Sequence, residues 1–195
     1  MSLPAIATAS LWLAWLAYWG VAARGAKPIL RRESAGSRAL HVGPLFICAL
    51  LLVEPRIVMP SVLVRRFLPD ETLLRWAGVA VVAGGLSFAV WARRHLAGNW
   101  SGAVVLKAGH SLVRSGPYAL VRHPIYAGLL LAVLGSALEL GELRGLLALA
   151  CAVVSVTSRV LAEDALMAAT FGAEYREYRQ RTPALLPFSN LTTHP

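Results

Sequence analysis

The sequence predicts an all-α integral membrane protein with about five transmembrane helices, and three observations support this prediction. Of the 195 residues, 57% are hydrophobic and only 15% are charged, whereas soluble domains carry about 25% charged residues. Runs without any charge recur along the chain, and most approach the roughly 20 residues that a helix needs to cross a bilayer. About five spans of roughly 20 residues each leave no room for a separate soluble domain. Residues 1–195 are therefore expected to form a single membrane-embedded unit.

Three anchoring spans are predicted in residues 1–95. The first is the charge-free run Leu3–Ala23, whose tryptophans suit a membrane interface. The second, Leu40–Val64, is expected to end or kink near Pro55. The third is Trp76–Ala92, which contains glycines that allow close helix packing. These glycines are Gly78, Gly84 and Gly85.

Residues 96–195 are predicted to carry a cofactor-binding loop, a helical hairpin and a C-terminal cap. The fourth span is Pro124–Leu140, with proline at a favourable first-turn position. The fifth runs from Gly145 to about Met167, so only a tight turn separates the two spans. Phe171-Gly172 is expected to interrupt the fifth helix, and Ala173–Arg181 is predicted to form a short amphipathic helix.

The basic residues predict the orientation in the membrane. Most of the 19 Lys and Arg residues lie after the first span, between the third and fourth spans, or near the C-terminus. Because cytoplasmic loops are enriched in these residues, the N-terminus is expected outside, and the polar stretch before the fourth span, where a candidate active site is described below, is expected on the cytoplasmic side. The net charge of +9 is accordingly assigned to contact with membrane lipids, and nucleic acid is not expected as a partner. The oligomeric state stays open.

The stretch Gly109–Gly128, GHSLVRSGPYALVRHPIYAG, is the most informative part of the chain. On composition alone it is a basic juxtamembrane loop. Its mixture of residue types indicates more, because glycines let a backbone approach a ligand closely, tyrosine rings offer flat surfaces and arginine forks fit carboxylates. This combination favours a pocket for a charged cofactor that carries an aromatic base.

The helical hairpin predicts which side chains meet this stretch. It brings the start of the fourth span and the end of the fifth to one membrane face. Arg159, Glu163 and Asp164 are thereby expected beside His123 and Tyr126. Arg159 and Glu163 are four residues apart, so they share one helix face.

Two interpretations of Arg159 and Glu163 stay open on the residues alone. The simpler one is an ion pair within the helix, worth about 0.3 to 0.5 kcal/mol. Ionisable groups in a membrane are, however, functional candidates. Glu163 suits an ammonium or sulfonium group, and Arg159 or Arg122 suits a carboxylate. No metal site is predicted, since the histidines lack neighbouring ligands at the usual spacing.

Two blocks of the sequence resemble the isoprenylcysteine carboxyl methyltransferase family and the wider group of integral-membrane methyltransferases that includes phospholipid N-methyltransferases. They are His110–Gly128, HSLVRSGPYALVRHPIYAG, and Arg159–Phe188, RVLAEDALMAATFGAEYREYRQRTPALLPF. The second block matches the family's ending in spacing throughout, but Asp164 stands where the family has the second acid of a Glu-Glu pair. With the hairpin between them, the blocks cover about the C-terminal half, and the N-terminal half shows no convincing match.

The resemblance implies methyl transfer from S-adenosyl-L-methionine to a lipophilic acceptor that enters from the bilayer. Arg159 would face the acceptor, and Arg159 with Glu163 would form the catalytic pair. The cofactor would be held by the positions that match the family's motif. These are His110, Ser111, Leu112, Val113, Tyr118, His123, Pro124, Ile125, Tyr126 and Glu163.

The nature of the acceptor depends on which groups can activate it. A carboxylate is already nucleophilic at neutral pH and needs only a cation such as Arg159 to position it. An amine also needs a base, for which Glu163 or His123 are the candidates. A lipid acid or thiol is therefore favoured, with a phospholipid amine as the alternative. An NADPH-dependent membrane reductase and a non-enzymatic membrane scaffold are the alternatives of other classes.

Overall fold

The computed structural model describes residues 2–23, 35–53, 59–96 and 112–187, and these residues form helices joined by turns. Apart from one isolated β-bridge between Arg66 and Glu142, the regular elements of these segments are helical, as predicted. Two predicted cofactor-binding residues, His110 and Ser111, lie outside the described residues. The helices are α1 Leu3–Ala23, α2 Ala35–Leu52, α3 Thr72–Leu96, α4 Pro117–Leu120, α5 Pro124–Leu140 and α6 Leu143–Arg181.

Several of these helices are suited to a bilayer. Within the described residues, α1, α3 and α6 are long and apolar enough to cross a membrane. Helix α5 and the apolar part of α2, Val42–Leu52, are shorter. Large apolar side chains point outward, including Leu13 at 66% and Leu161 at 63% exposure, and an extensive exposed apolar surface is typical of contact with lipid. The chain is a multi-pass membrane protein.

The predicted second span, Leu40–Val64, is wrong in its outer bounds, although the end of α2 at Leu52 agrees with the expected end near Pro55. Helix α2 begins at Ala35 and ends at Leu52, and residues 61–64 form a turn. Backbone carbonyls in and just after this turn accept hydrogen bonds from the start of α6. The amide of Leu143 donates to Arg65 O at 3.0 Å, and that of Arg144 donates to Leu63 O at 2.9 Å. These bonds satisfy donors at the start of α6 that have no partner within the helix.

Helix α3 packs most extensively against α5, and glycines permit the close approach. A Cβ atom added to Gly85 would lie 2.5 Å from the carbonyl oxygen of Gly128, and one added to Gly78 would lie 2.7 Å from that of Gly135. The two backbones are therefore in direct contact, which is common between membrane helices. The prediction is correct for Gly78 and Gly85, but Gly84 has no such neighbour within 4 Å.

The hairpin has the predicted fourth helix, Pro124–Leu140, at those bounds. Gly141, in the left-handed conformation with φ 64°, ends α5, and α6 begins two residues later. The fifth span was expected to end near Met167, and helix α6 continues beyond it to Arg181. At Gly172 the backbone leaves helical geometry, with φ 52° and ψ −119°, so the helix is kinked where an interruption was expected.

The packing gives the bundle two distinct ends. Helix α1 lies on α3 and α5, whereas α2 lies on α6. Arg93 donates from Nη2 to Ala22 O at 3.1 Å, which joins the C-terminal ends of α1 and α3 beside the start of α5. We call this the site end. The opposite end, called the far end, contains the turn between α5 and α6.

Candidate active site

A cavity of about 1160 Å³ runs along the bundle between α1, α2, α5 and α6. Its site end is lined by polar and aromatic side chains, including Tyr118 and Tyr126. Its middle is lined by apolar residues such as Leu130 and Val133. We call this apolar middle section the lipid groove. One continuous space thus joins a charged pocket to a hydrocarbon-like channel.

Asp164 organises the charged pocket. Its Oδ2 accepts a hydrogen bond from Arg122 Nη2 at 2.8 Å, and its Oδ1 accepts one from His123 Nε2 at 2.8 Å. The hydroxyl of Tyr175 also donates to Oδ1. The side chains of Arg122, His123 and Asp164 are each only 7% exposed. A buried carboxylate with three donors is well satisfied, because charge-assisted hydrogen bonds compensate for lost hydration.

His123 lies between two carboxylates. Its Nε2 bonds to Asp164, and its Nδ1 lies 3.5 Å from Oε2 of Glu163. Burial alone lowers the pKa of His123, but the hydrogen bonds and negative charges of Asp164 and Glu163 outweigh burial and raise the pKa above its usual value. The ring also stacks near Tyr126, with centroids 5.9 Å apart and planes at 24°. The two carboxylates therefore favour the protonated form of His123 and hold its ring in a fixed orientation.

Glu163, Tyr126 and Arg159 form the next layer of the pocket. The hydroxyl of Tyr126 donates to Oε1 of Glu163 at 2.6 Å. Arg159 Nε lies 3.1 Å from the Tyr126 hydroxyl and 3.2 Å from the same Glu163 oxygen. Arg159 and Glu163 form the i,i+4 ion pair of the simpler interpretation. Both also line the cavity, and their functional role stays a prediction.

Tyr118 forms the wall of the site end that is contributed by α4. Its side chain is buried, and burial together with the charge of Glu163 raises the pKa of its hydroxyl. His95 stacks on its ring at 6.4 Å between centroids and 26° between planes. The backbone carbonyl of Tyr118 accepts a hydrogen bond from Tyr178. The other predicted cofactor residues that the structure describes also line the cavity: Leu112, Val113, Pro124 and Ile125.

Residues 173–187, which we call the C-terminal cap, hold this site from the other side of the kink at Gly172. The amide of Arg122 donates to Pro183 O at 2.8 Å, and that of His123 donates to Ala184 O at 3.0 Å. Arg122 Nη1 donates to Thr182 O and, at 3.2 Å, to Arg179 O. The cap therefore fixes the backbone at the start of α5 and the side chain of Arg122, which binds Asp164.

The expected meeting of the two sequence blocks is confirmed as geometry, with one correction. Glu163 and Asp164 lie beside His123 and Tyr126. The suggestion that Arg122 holds a ligand carboxylate is not supported, because both of its Nη atoms are bonded within the protein. The hydrogen bond between Tyr175 and Asp164 was not predicted from the sequence. The three-residue spacing of Tyr175 and Tyr178 was the available signal, since it places both rings on one helix face.

Comparison with known protein families gives an independent assignment. The family model described as phospholipid methyltransferase matches residues 73–174, which is more than half of the chain. This range includes α3, α4, α5 and α6 as far as the kink.

The chain belongs to the phospholipid methyltransferase family.

Individual relatives extend this assignment. The protein-S-isoprenylcysteine O-methyltransferase of Schizosaccharomyces pombe is 35% identical over 79 residues, which are 40% of this chain and 34% of that protein. The cobalt-zinc-cadmium resistance protein CzcN of Cupriavidus metallidurans is 40% identical over 83 residues, 42% of this chain and 38% of that protein. The matches to these curated relatives span only about a third of their length. The resemblance to isoprenylcysteine methyltransferases is confirmed at the level of the family.

A solved structure supports the fold. The chain is similar to a eukaryotic intramembrane Ras methyltransferase, isoprenylcysteine carboxyl methyltransferase, with a TM-score of 0.54 and 22% sequence identity. The match covers 82% of this chain and 55% of that one. At this identity the similarity concerns the arrangement of the helices, which the two proteins share over most of the present chain.

Proposed function

We propose that this membrane protein transfers a methyl group from S-adenosyl-L-methionine to a lipophilic acceptor that enters from the bilayer. The acceptor is an isoprenylcysteine-carboxylate-like molecule or another lipid acid or thiol. The observation that carries the proposal is the single cavity in which a charged, ring-lined pocket opens into the lipid groove. Such a space accommodates a polar cofactor at one end and a hydrocarbon chain along the rest.

The donor groups at the site end fit S-adenosyl-L-methionine. Tyr118, Tyr126 and His123 provide flat ring surfaces beside the cavity, which suit a nucleoside base. Glu163 provides a carboxylate for an ammonium or sulfonium group. The cavity of about 1160 Å³ exceeds the roughly 300 to 1,000 Å³ typical of a pocket for one small ligand. The volume thus supports simultaneous binding of cofactor and acceptor.

The charges of the pocket favour an anionic acceptor. Arg122, His123 and Arg159 face Glu163 and Asp164, so cations exceed anions by one when His123 is protonated. The bound cofactor would supply its methyl group from a sulfonium, which adds further positive charge. An acceptor carboxylate balances this charge, whereas a protonated amine increases the excess.

The chain's own part in the reaction is positioning and exclusion of water. Arg159, at the junction of the charged pocket and the groove, orients the acceptor carboxylate through its guanidinium fork. Attack by a carboxylate oxygen needs no proton transfer, so no base is required. Asp164 and Tyr175 hold His123 in place, and the apolar groove keeps water from the reacting atoms. Alignment of this kind accounts for a large part of the barrier reduction in bimolecular transfers.

The proposal includes an arrangement in the membrane. Five helices cross or enter the bilayer, with the N-terminus outside and the site end at the cytoplasmic face. The distribution of Lys and Arg along the sequence supports this orientation. The part of α6 after Gly172 lies along the cytoplasmic surface as an amphipathic helix, where its basic residues meet anionic headgroups.

A direct test uses purified protein, S-adenosyl-L-methionine with a labelled methyl group and two defined acceptors. One acceptor is a prenylated cysteine with a free carboxylate, and the other is the same molecule with its carboxylate already esterified. We expect label in the first and none in the second. Absence of transfer to every lipid acid and thiol in a membrane extract, with cofactor binding intact, would overturn the proposed acceptor class.

A phospholipid amine is the second candidate acceptor, because the family model that matches is that of phospholipid methyltransferases. Phosphatidylethanolamine in the same assay separates the two candidates. Labelled phosphatidylethanolamine would favour N-methylation, and Glu163 or His123 would then have to accept the amine proton.

A further inference from the structure

The far end of the cavity is not apolar. Two ion pairs line it: Arg75 with Glu139, and Arg144 with Glu142. Arg75 Nη2 lies 2.8 Å from Oε1 of Glu139, whose side chain is 3% exposed. Arg144 Nε lies 2.6 Å from Oε2 of Glu142, and its side chain is 4% exposed. We call these two pairs the far ion pairs.

The far ion pairs are fixed by further bonds to the surrounding backbone. Arg144 Nη1 donates to Leu51 O at 3.3 Å and to Val53 O at 3.1 Å. These bonds anchor it to the end of α2. Arg75 Nε also donates to Glu139, at 3.2 Å. A hydrocarbon chain gains nothing by displacing such groups, because a separated and desolvated ion pair is costly. The groove therefore ends at a rigid polar boundary.

From these observations we infer that the far ion pairs set the maximum length of the acceptor's hydrocarbon chain. This inference rests on the proposed function, since it assumes a chain whose anionic head lies at Arg159. The occupant is the acceptor's own chain, with its head at the site end and its tail extended along the lipid groove toward Glu139.

The geometry of α5 gives the length. From Tyr126 to Ser136 an α-helix rises about 15 Å, and from Tyr126 to Glu139 it rises about 20 Å. An extended chain advances about 1.3 Å per carbon, given carbon–carbon bonds of about 1.5 Å. A main chain of about 12 carbons thus reaches Ser136, and one of about 15 reaches the boundary at Glu139.

Trp12 provides a natural depth marker for this measurement. Its indole Nε1 donates to Ser136 Oγ at 3.0 Å, and the residue lines the cavity. Trp12 thus lies near the deep end of the groove. Trp19, also in α1, lies nearer the site end because Ala22 contacts Arg93 there.

The first experiment measures how deeply a chain inserts, and it needs neither cofactor nor turnover. The probes are fatty acids of increasing length that carry bromine near the chain terminus, which quenches tryptophan at short range. We expect chains of about 12 to 15 carbons to quench the fluorescence component that Trp12→Phe removes. Chains of about 8 carbons should leave that component unchanged. Equal quenching of this component by all lengths would overturn the inference.

The second experiment shortens the groove. Val133→Phe adds bulk to its wall about 10 Å from Tyr126, and Leu130→Phe does so nearer the site. We expect Val133→Phe to lose binding of the longer probes and to retain the probe of about 8 carbons. Leu130→Phe should weaken that probe as well, because the roughly 6 Å between Tyr126 and Leu130 accommodates only about 5 carbons. Leu134→Phe is the matched control, because Leu134 is on the same helix, is 37% exposed and does not line the cavity. Unchanged length preference in both variants would contradict the inference.

The third experiment removes the far ion pair formed by Arg75 and Glu139. The double variant Arg75→Leu and Glu139→Leu replaces both charged partners, which avoids leaving an isolated buried charge. We expect it to accept chains several carbons longer than the wild type does. The same double change at the exposed pair Glu177 and Arg181 should not extend the limit. A limit that stays at the wild-type length in this double variant would contradict the inference, because the chain length was measured to Glu139.

Failure of the length inference can be distinguished from failure of the proposed function. If the probes show the length limit but no lipid acid is methylated, the length inference stands and the proposed reaction fails. If lipid acids are methylated at equal rates for all chain lengths, the reaction stands and the length inference fails.

Discussion

Nε2 of His123 lies 2.8 Å from Oδ1 of Asp164, and this hydrogen bond joins the start of α5 to the middle of α6. Asp164 binds Arg122 and Tyr175 as well, so one carboxylate connects the loop before α5, the helix α6 and the cap beyond the kink. The neighbouring Glu163 faces the cavity. Asp164 thus holds the parts of the site together, and Glu163 lines the cavity.

The first prediction concerns Asp164. Asp164→Asn keeps the size of the side chain but removes its charge, which leaves the buried guanidinium of Arg122 without a carboxylate. We expect the free energy of unfolding to fall by about 3 to 5 kcal/mol, as is usual when one partner of a buried ion pair is removed. Thermal unfolding in detergent would measure the loss. Glu177→Gln is the control, because Glu177 is 52% exposed in its pair with Arg181 and should change stability by less than about 0.5 kcal/mol.

The second prediction is a pH dependence caused by His123. Its pKa in the folded protein is raised above the usual 6.5. The folded state therefore binds the proton more tightly than the unfolded state does, and the resulting stabilisation is complete below about pH 6.5. It is lost as pH rises through the raised folded pKa. We expect the melting temperature to fall with rising pH in this window and to fall less in His123→Gln. A variant with the same pH dependence as the wild type would exclude His123 as the source.

The third prediction compares two adjacent glycines in α3. Gly85→Ala places a methyl group 2.5 Å from Gly128 O and 2.6 Å from Ala132 N, which are backbone atoms that cannot move aside. We expect a loss of about 1 to 3 kcal/mol, as for other overpacked sites. Gly84→Ala meets nothing within 4 Å and should stabilise the helix by about 1 kcal/mol. Similar unfolding temperatures for the two variants would show that α3 and α5 are not in backbone contact.

The contrast between these glycines also shows what the sequence could predict. A glycine-rich stretch indicates close helix packing, and Gly78 and Gly85 do contact α5. The sequence does not say which side of α3 meets α5, so Gly84 could not be distinguished. The start of α5 was predictable because Pro124 fits a first helical turn and the apolar run that follows is uninterrupted.

Other features depend on contacts that are distant in sequence. Hydropathy continues through residues 59–64, but Leu63 and Arg65 accept backbone hydrogen bonds from the start of α6, and residues 61–64 form a turn. The bond between Tyr175 and Asp164 exists because Gly172 turns the chain with a positive φ that other residues rarely adopt. The tight helical hairpin predicted that the two blocks meet, but not that Asp164 is the residue that joins the cap to the site.

The fourth prediction concerns Arg159, which is expected to position the methyl acceptor. Arg159→Ala removes a guanidinium whose Nε lies 3.2 Å from Glu163 and 3.1 Å from Tyr126. Glu163 keeps its contacts with Tyr126 and His123, so its position should be preserved. We expect methyl transfer to fall at least about 100-fold, because misplacement of a reactant by about 1 Å has effects of that size. Cofactor binding, measured as stabilisation by S-adenosylhomocysteine, should change only a few-fold.

Two further variants determine whether that loss reflects positioning. Arg159→Lys keeps the positive charge without the planar fork, so we expect partial activity and a raised KM for the acceptor. Arg181→Ala removes an arginine that is 77% exposed on the cap and should leave transfer unchanged. If Arg159→Ala abolished binding of S-adenosylhomocysteine, Arg159 would belong to the cofactor site. Arg159 and Glu163 form one ion pair. Cofactor binding and methyl transfer must therefore be measured separately to decide which of the two residues contacts the cofactor and which contacts the acceptor.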